Sequence, residues 1–86
     1  MCATRVTPSK AMKRQLMEAL QARVEYIRES KSLSQAEAAK LLGVTQPRLS
    51  SLVTGRLQLF SLEALVELAT RAGLSVKMTV GRSYRN

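Results

Sequence analysis

The sequence predicts a mainly all-α fold: a bundle of four to five helices followed by one short C-terminal β-strand. Three observations predict it. Apolar residues recur every three or four positions over four separate stretches. Each stretch opens on a Ser or Thr that can cap a helix, and the last three stop at Gly43, Gly55 and Gly73. Only residues 74–80 change period, with Val76, Met78 and Val80 alternating with Ser75, Lys77 and Thr79.

Taken in order, residues 1–8 are short, polar and end in Pro8, and they read as a flexible arm. Ser9 is placed to cap a first helix over 10–30, whose stripe is Met12, Leu16, Leu20, Val24 and Ile27. Lys13, Arg14, Gln21, Glu25 and Arg28 fall mostly on its wet side. Lys31-Ser32-Leu33 breaks the pattern. Ser34 and Glu37 then form an S-x-x-E capping box, with Leu33 as the staple residue toward Ala38. That second helix, SQAEAAKLL, stops at Gly43, which suits a left-handed turn. Thr45 caps the third helix, which tolerates Pro47 in its first turn and turns Leu49, Leu52 and Val53 inward. A loop over 56–60 leads to Ser61 and a fourth helix carrying Leu62, Leu65, Val66, Leu68, Ala69 and Ala72. The domain therefore spans 9–73, the strand 74–80 and a tail 81–86.

Composition removes whole classes of function. With 86 residues the chain holds one small domain, and folding hides only roughly 63% of its unfolded surface. There is no His, so no His-based triad, proton shuttle or His-containing metal site can be built. Cys2 is the single cysteine, which fits a reducing cytoplasm. The first ten residues show no apolar signal region, and no apolar run approaches a membrane span. Three aromatics are too few for a base-stacking sheet. The expectation is no enzyme, no cofactor and no metal. What remains is charge: 14 Lys+Arg against 6 acids, all Glu, for a net +8. That balance suggests a polyanionic partner, usually nucleic acid and sometimes an anionic membrane.

Two short helices joined by a tight Gly turn follow the helix-turn-helix plan, in which the second helix enters the major groove. Ala39 keeps the helix crossing close, Gly43 makes the turn, and Leu49 and Leu52 anchor the second helix from below. Residues 35–56, QAEAAKLLGVTQPRLSSLVTGR, meet each demand. This stretch, with its motif over 35–54, resembles the helix-turn-helix of the lambda-repressor-like (XRE/Cro) family of bacterial and phage regulators. The long first helix, SLEALVELATRAGL and the terminal strand extend the resemblance over residues 12–80. Over that length it is similar to the small XRE-type regulators that include HigA-like antitoxins. The resemblance implies a phosphate contact at Gln35 and base reading by Gln46, Pro47, Arg48 and Ser51. The sequence departs from the familiar phage repressors at Pro47 and Ser51, where longer amides are frequent.

The helical wheel agrees with that carry-over. With Leu49, Leu52 and Val53 inward, Pro47, Ser51 and Thr54 face outward, and Arg48 and Ser50 lie on the flanks. Arg48 can fork onto guanine O6/N7 and Gln46 onto adenine N6/N7, while Pro47 offers apolar contact to a thymine methyl. Ser50, Thr54 and Arg56 are expected at phosphates, with the N–H groups at the two helix N-termini. Lys10, Lys13 and Arg14 either touch phosphates or merely solubilise the first helix. The methionines Met12, Met17 and Met78 read as core or interface filler. Glu63 and Glu67 read as a solvated pair, with Arg71 placed to bridge Glu67.

The expected activity is sequence-specific DNA binding by a homodimeric repressor, with a cognate toxin as a further partner if it is an antitoxin. A lone strand cannot satisfy its own backbone, so Val76, Met78 and Val80 are expected to pair across a two-fold axis. The competing class is a protein-interaction module that neutralises a partner without sequence-specific DNA binding. Salt-dependent, sequence-selective duplex binding separates the two. A basic membrane-surface helix is set aside, because the apolar stripe of the first helix is needed as core.

Overall fold

The computed structural model describes residues 8–77, with side chains from residue 10 onward. The elements are α1 (Pro8–Lys31), α2 (Gln35–Leu42), α3 (Gln46–Val53), a 3-10 turn over Leu57–Leu59, and α4 (Leu62–Arg71). The long α1 packs chiefly against α4, and α2 pairs with α3. The core joins Met17, Leu20, Val24 and Ile27 of α1 to Ala38, Ala39 and Leu42 of α2. Leu49 and Leu52 of α3, Phe60, and Leu65, Leu68, Ala69 and Ala72 of α4 complete it. No described polar or charged residue is buried, and no buried polar side-chain atom lacks a partner. The expected α-helical bundle is the observed one.

The helix boundaries follow local chemistry. Ser34 Oγ accepts from the Glu37 N–H at 3.1 Å, and a Glu37 carboxylate oxygen accepts from the Ser34 N–H at 2.8 Å. This closes the capping box. Gly43 ends α2 at φ 74° and ψ 29°. Its N–H reaches the Lys40 carbonyl at 3.1 Å, and the Val44 N–H reaches that of Ala39 at 2.9 Å. Thr45 and Ser61 cap α3 and α4 as their spacing predicts.

The expected helix start moves. Pro8, assigned to the arm, is the first residue of α1, and Ser9 lies inside the helix rather than capping it. A fixed φ and a missing N–H cost nothing in a first turn. Val53, expected to face inward, is not buried. It is 37% exposed, because it sits at the edge of α3's apolar stripe and walls an open cleft against α1. Met12 and Leu16 are likewise only half-buried, leaving the N-terminal half of α1's stripe as one wall of a groove.

Residues 74–77 carry no regular secondary structure. A strand exists as hydrogen-bonded pairing, and a single copy offers no second edge for it. Val76 is 41% exposed and faces the groove between α1 and α4. Met78, Val80, the rest of the expected strand and the tail over 81–86 lie outside the described residues, as does most of the expected arm.

Three long side chains cap helix C-termini from other elements, which the wheel alone does not show. The Gln21 amide donates to the Leu52 and Val53 carbonyls at 3.0 and 3.2 Å. Arg23 Nε donates to Ala72 O at 2.8 Å. Arg71 Nη1 donates to Leu42 O and Gly43 O at 3.3 Å each, while its Nη2 bridges Glu67 at 3.0 Å. The last carbonyls of a helix lack partners within it and carry partial negative charge. Each donor therefore both satisfies a helix end and binds that helix to its neighbour.

Candidate nucleic-acid interface

Two buried leucines hold α3 from below: Leu49 and Leu52 are each 1% exposed. Gln46 and Pro47 in its first turn are consequently exposed, Ser50 and Ser51 half-buried, and Thr54 exposed at its end. Pro47 sits in the first turn, where the ring has no carbonyl behind it to strike. The Arg48 N–H is held by Thr45 Oγ1 at 3.3 Å. Gln35, the first residue of α2, is half-buried just after the capping box. The Arg56 side chain is exposed between α3 and the 3-10 turn, with no hydrogen bond or ion pair of its own.

The expected base readers Gln46, Pro47, Arg48 and Ser51 thus lie along one short helix, as spacing requires. Their surroundings differ. Gln46 and Pro47 project from the helix start. Arg48 is half-buried, and its guanidinium is already engaged: Nη1 donates to Leu59 O at 3.2 Å. The same group lies 4.3 Å from the centroid of the Phe60 ring. The Thr54 hydroxyl and N–H both donate to Ser50 O, at 2.8 and 3.0 Å, so both of its donors are engaged within the helix end. Sequence spacing places Phe60 only in the loop over 56–60. The signal that distinguishes it is an aromatic ring just before the helix-capping Ser61, in a connection whose other apolar residues, Leu57 and Leu59, are aliphatic.

Glu37 is the one described group whose pKa departs clearly from its ordinary value. The Ser34 N–H and hydroxyl favour its charged form, and Lys40 adds to this, so the carboxyl titrates below its usual value. This negative charge at the start of α2 complements the helix dipole. It belongs to the cap and not to a reaction. No group of three potential ligands that could hold a metal ion occurs among the described residues. No described helix is long and apolar enough to cross a membrane.

A capped short helix, a left-handed glycine and a second helix with its first turn open to solvent define a helix-turn-helix domain. The comparisons narrow that class. A family model described as a helix-turn-helix domain matches residues 5–81. A solved structure carrying the name XRE family transcriptional regulator is 34% identical, with a TM-score of 0.76. That match covers 90% of this chain and 82% of the other. No curated protein sequence matches. The chain belongs to the XRE-type helix-turn-helix family, whose members are non-enzymatic DNA-binding regulators.

Proposed function

We propose that the protein is a sequence-specific transcriptional repressor that binds duplex DNA as a homodimer, placing α3 of each copy in the major groove. The observation that carries this is the presentation of α3. Its inward residues are locked in the core, while Gln46 and Pro47 project outward from a chain of net charge +8. Gln46, Pro47, Arg48 and Ser51 read base edges. Gln35, Ser50, Thr54 and Arg56 approach phosphates, helped by the N–H groups at the starts of α2 and α3.

A single eight-residue helix covers only a few base pairs, so useful specificity needs two half-sites. Pairing of Val76, Met78 and Val80 across a two-fold axis would supply the second. It would also cover the apolar groove that Met12, Leu16, Leu62 and Val66 help to line. The protein would work in the cytoplasm. The antitoxin version adds a toxin protein as partner to the same DNA-binding mode, and it rests on the likeness to HigA-like regulators alone.

Selection from a random duplex pool, followed by sequencing of the retained DNA, tests the proposal. The expected product is a near-palindrome with half-sites about one DNA turn, roughly 34 Å, apart. Retained DNA with no shared sequence, or with a single unpaired half-site, would overturn it.

A further inference from the structure

Arg48 is held at both ends. Its backbone N–H is taken by Thr45 Oγ1, and its guanidinium is pinned between the Leu59 carbonyl and the Phe60 ring. The ring cannot turn away, because Phe60 is 1% exposed and packed into the core. The Leu59 carbonyl is fixed by the 3-10 turn, which is closed by Leu59 N–H to Arg56 O at 3.1 Å and Phe60 N–H to Leu57 O at 3.2 Å. Phe60 is the single Phe of the sequence, and among the described residues the rest of the buried core is without aromatic side chains. A Leu could fill the same space. Only an aromatic supplies a face for a cation.

We infer that Phe60 and the Leu59 carbonyl form a platform that orients Arg48 before DNA arrives, making Phe60 a specificity-positioning residue. The inference rests on the base-reading role proposed above for Arg48. Its physical basis is that stacking uses the face of the guanidinium and leaves its edge donors available. Leu59 takes a donor at Nη1, and the rest of the fork stays open to a base edge. A free arginine must give up rotamer freedom to make a bidentate contact, and that loss weakens binding to the correct base. A pinned arginine has given it up on folding. Pinning also prevents the side chain from swinging to a wrong base or a nearby phosphate, so it acts on discrimination more than on overall affinity.

The test compares full-length wild type, Phe60→Leu, Arg48→Ala and the double variant. The probes are the best duplex from the random pool, its single-base-pair variants and an unrelated duplex. Arg48→Ala should relax preference at one base pair. Phe60→Leu should reduce discrimination at that same base pair by about tenfold, the size of one good base contact. It should leave binding to the unrelated duplex and its salt dependence unchanged. The double variant should discriminate no worse there than Arg48→Ala. Melting by circular dichroism sets an assay temperature at which every variant is folded. In wild type without DNA, proton NMR should show the Arg48 side-chain methylenes shifted upfield by the Phe60 ring.

Uniform weakening on all duplexes by Phe60→Leu, intact discrimination, or Arg48 protons at random-coil positions would each overturn the inference. If Arg48→Ala itself leaves base preference unchanged, the base-reading assignment falls, and this inference falls with it. If Arg48→Ala relaxes the preference and Phe60→Leu does not, only the platform is wrong.

Discussion

Gly43 holds φ 74°, and a Cβ built there would meet Arg71 Nη1 at 2.9 Å. The guanidinium can shift, so the main cost of a side chain is the left-handed backbone, roughly 1 kcal/mol or more. Gly43→Val should therefore lower the Tm and weaken DNA binding together, as read by calorimetry and duplex titration. Arg48 and Arg56 separate two kinds of contact. Arg48→Ala should cost about 1–3 kcal/mol on the best duplex and relax one base position. Arg56→Ala should weaken all duplexes about equally and lower the slope of affinity against salt. Glu37 makes a pH prediction. Its folded pKa lies below the ordinary value of 4.5, so its stabilising effect is complete above that value. The effect is lost as pH falls through the lower folded value. Denaturant titrations should show wild type more stable than Glu37→Gln at neutral pH, with the gap closing only in acid.

At the level of elements, the end of each of the three shorter helices is held by a side chain from elsewhere, and the consequences differ. Gln21 ties the last carbonyls of α3 to α1, and Arg23 ties the end of α4 to the same helix. Each bond is worth about 1 kcal/mol. Arg23→Met should lower the Tm and leave DNA affinity in the folded protein unchanged, because α4 carries no proposed DNA contact. Gln21→Met should lower the Tm similarly and also reduce discrimination between duplexes, since it frees the C-terminal end of α3. Thermal melts paired with duplex titrations distinguish the two. Equal loss of discrimination in both variants would show that α3 is not oriented through Gln21.

For the whole molecule, the question is what covers the groove between α1 and α4. Leu74 is half-buried, and its N–H closes the end of α4 on Ala69 O at 2.8 Å, so removing it damages the fold directly. A cut after Lys77 is therefore the cleaner test of assembly. It keeps the described domain and removes Met78 and Val80. If the strand pairs across a dimer, this truncation should be largely monomeric by light scattering, less stable, and much weaker on DNA. A truncated chain that remains dimeric would place the two-fold contact elsewhere. Duplex affinity of the intact chain should also fall steeply with salt, as phosphate neutralisation by a +8 protein demands.

Local sequence specifies the four α-helices, their caps at Ser34, Thr45 and Ser61, and the left-handed turn at Gly43. These depend on neighbours within a few residues, so local periodicity and capping chemistry suffice to read them. Helical spacing likewise fixes that Leu49 and Leu52 face the core while Pro47 projects outward, because the two sets lie on opposite faces. The start of α1 shifted to Pro8, since a proline ends one pattern and begins another equally well. The partners of Gln21, Arg23 and Arg48, and the Leu42 and Gly43 contacts of Arg71, emerge only from tertiary packing. Each of these side chains reaches a residue far away in sequence or across a loop, and long flexible side chains have no period to read. Packing likewise decided that Val53 stays at an open cleft, because burial at the edge of a stripe depends on how near the next helix comes. Phe60 shows the difference most directly: in sequence it is an apolar residue before a cap, and only packing sets its ring under Arg48.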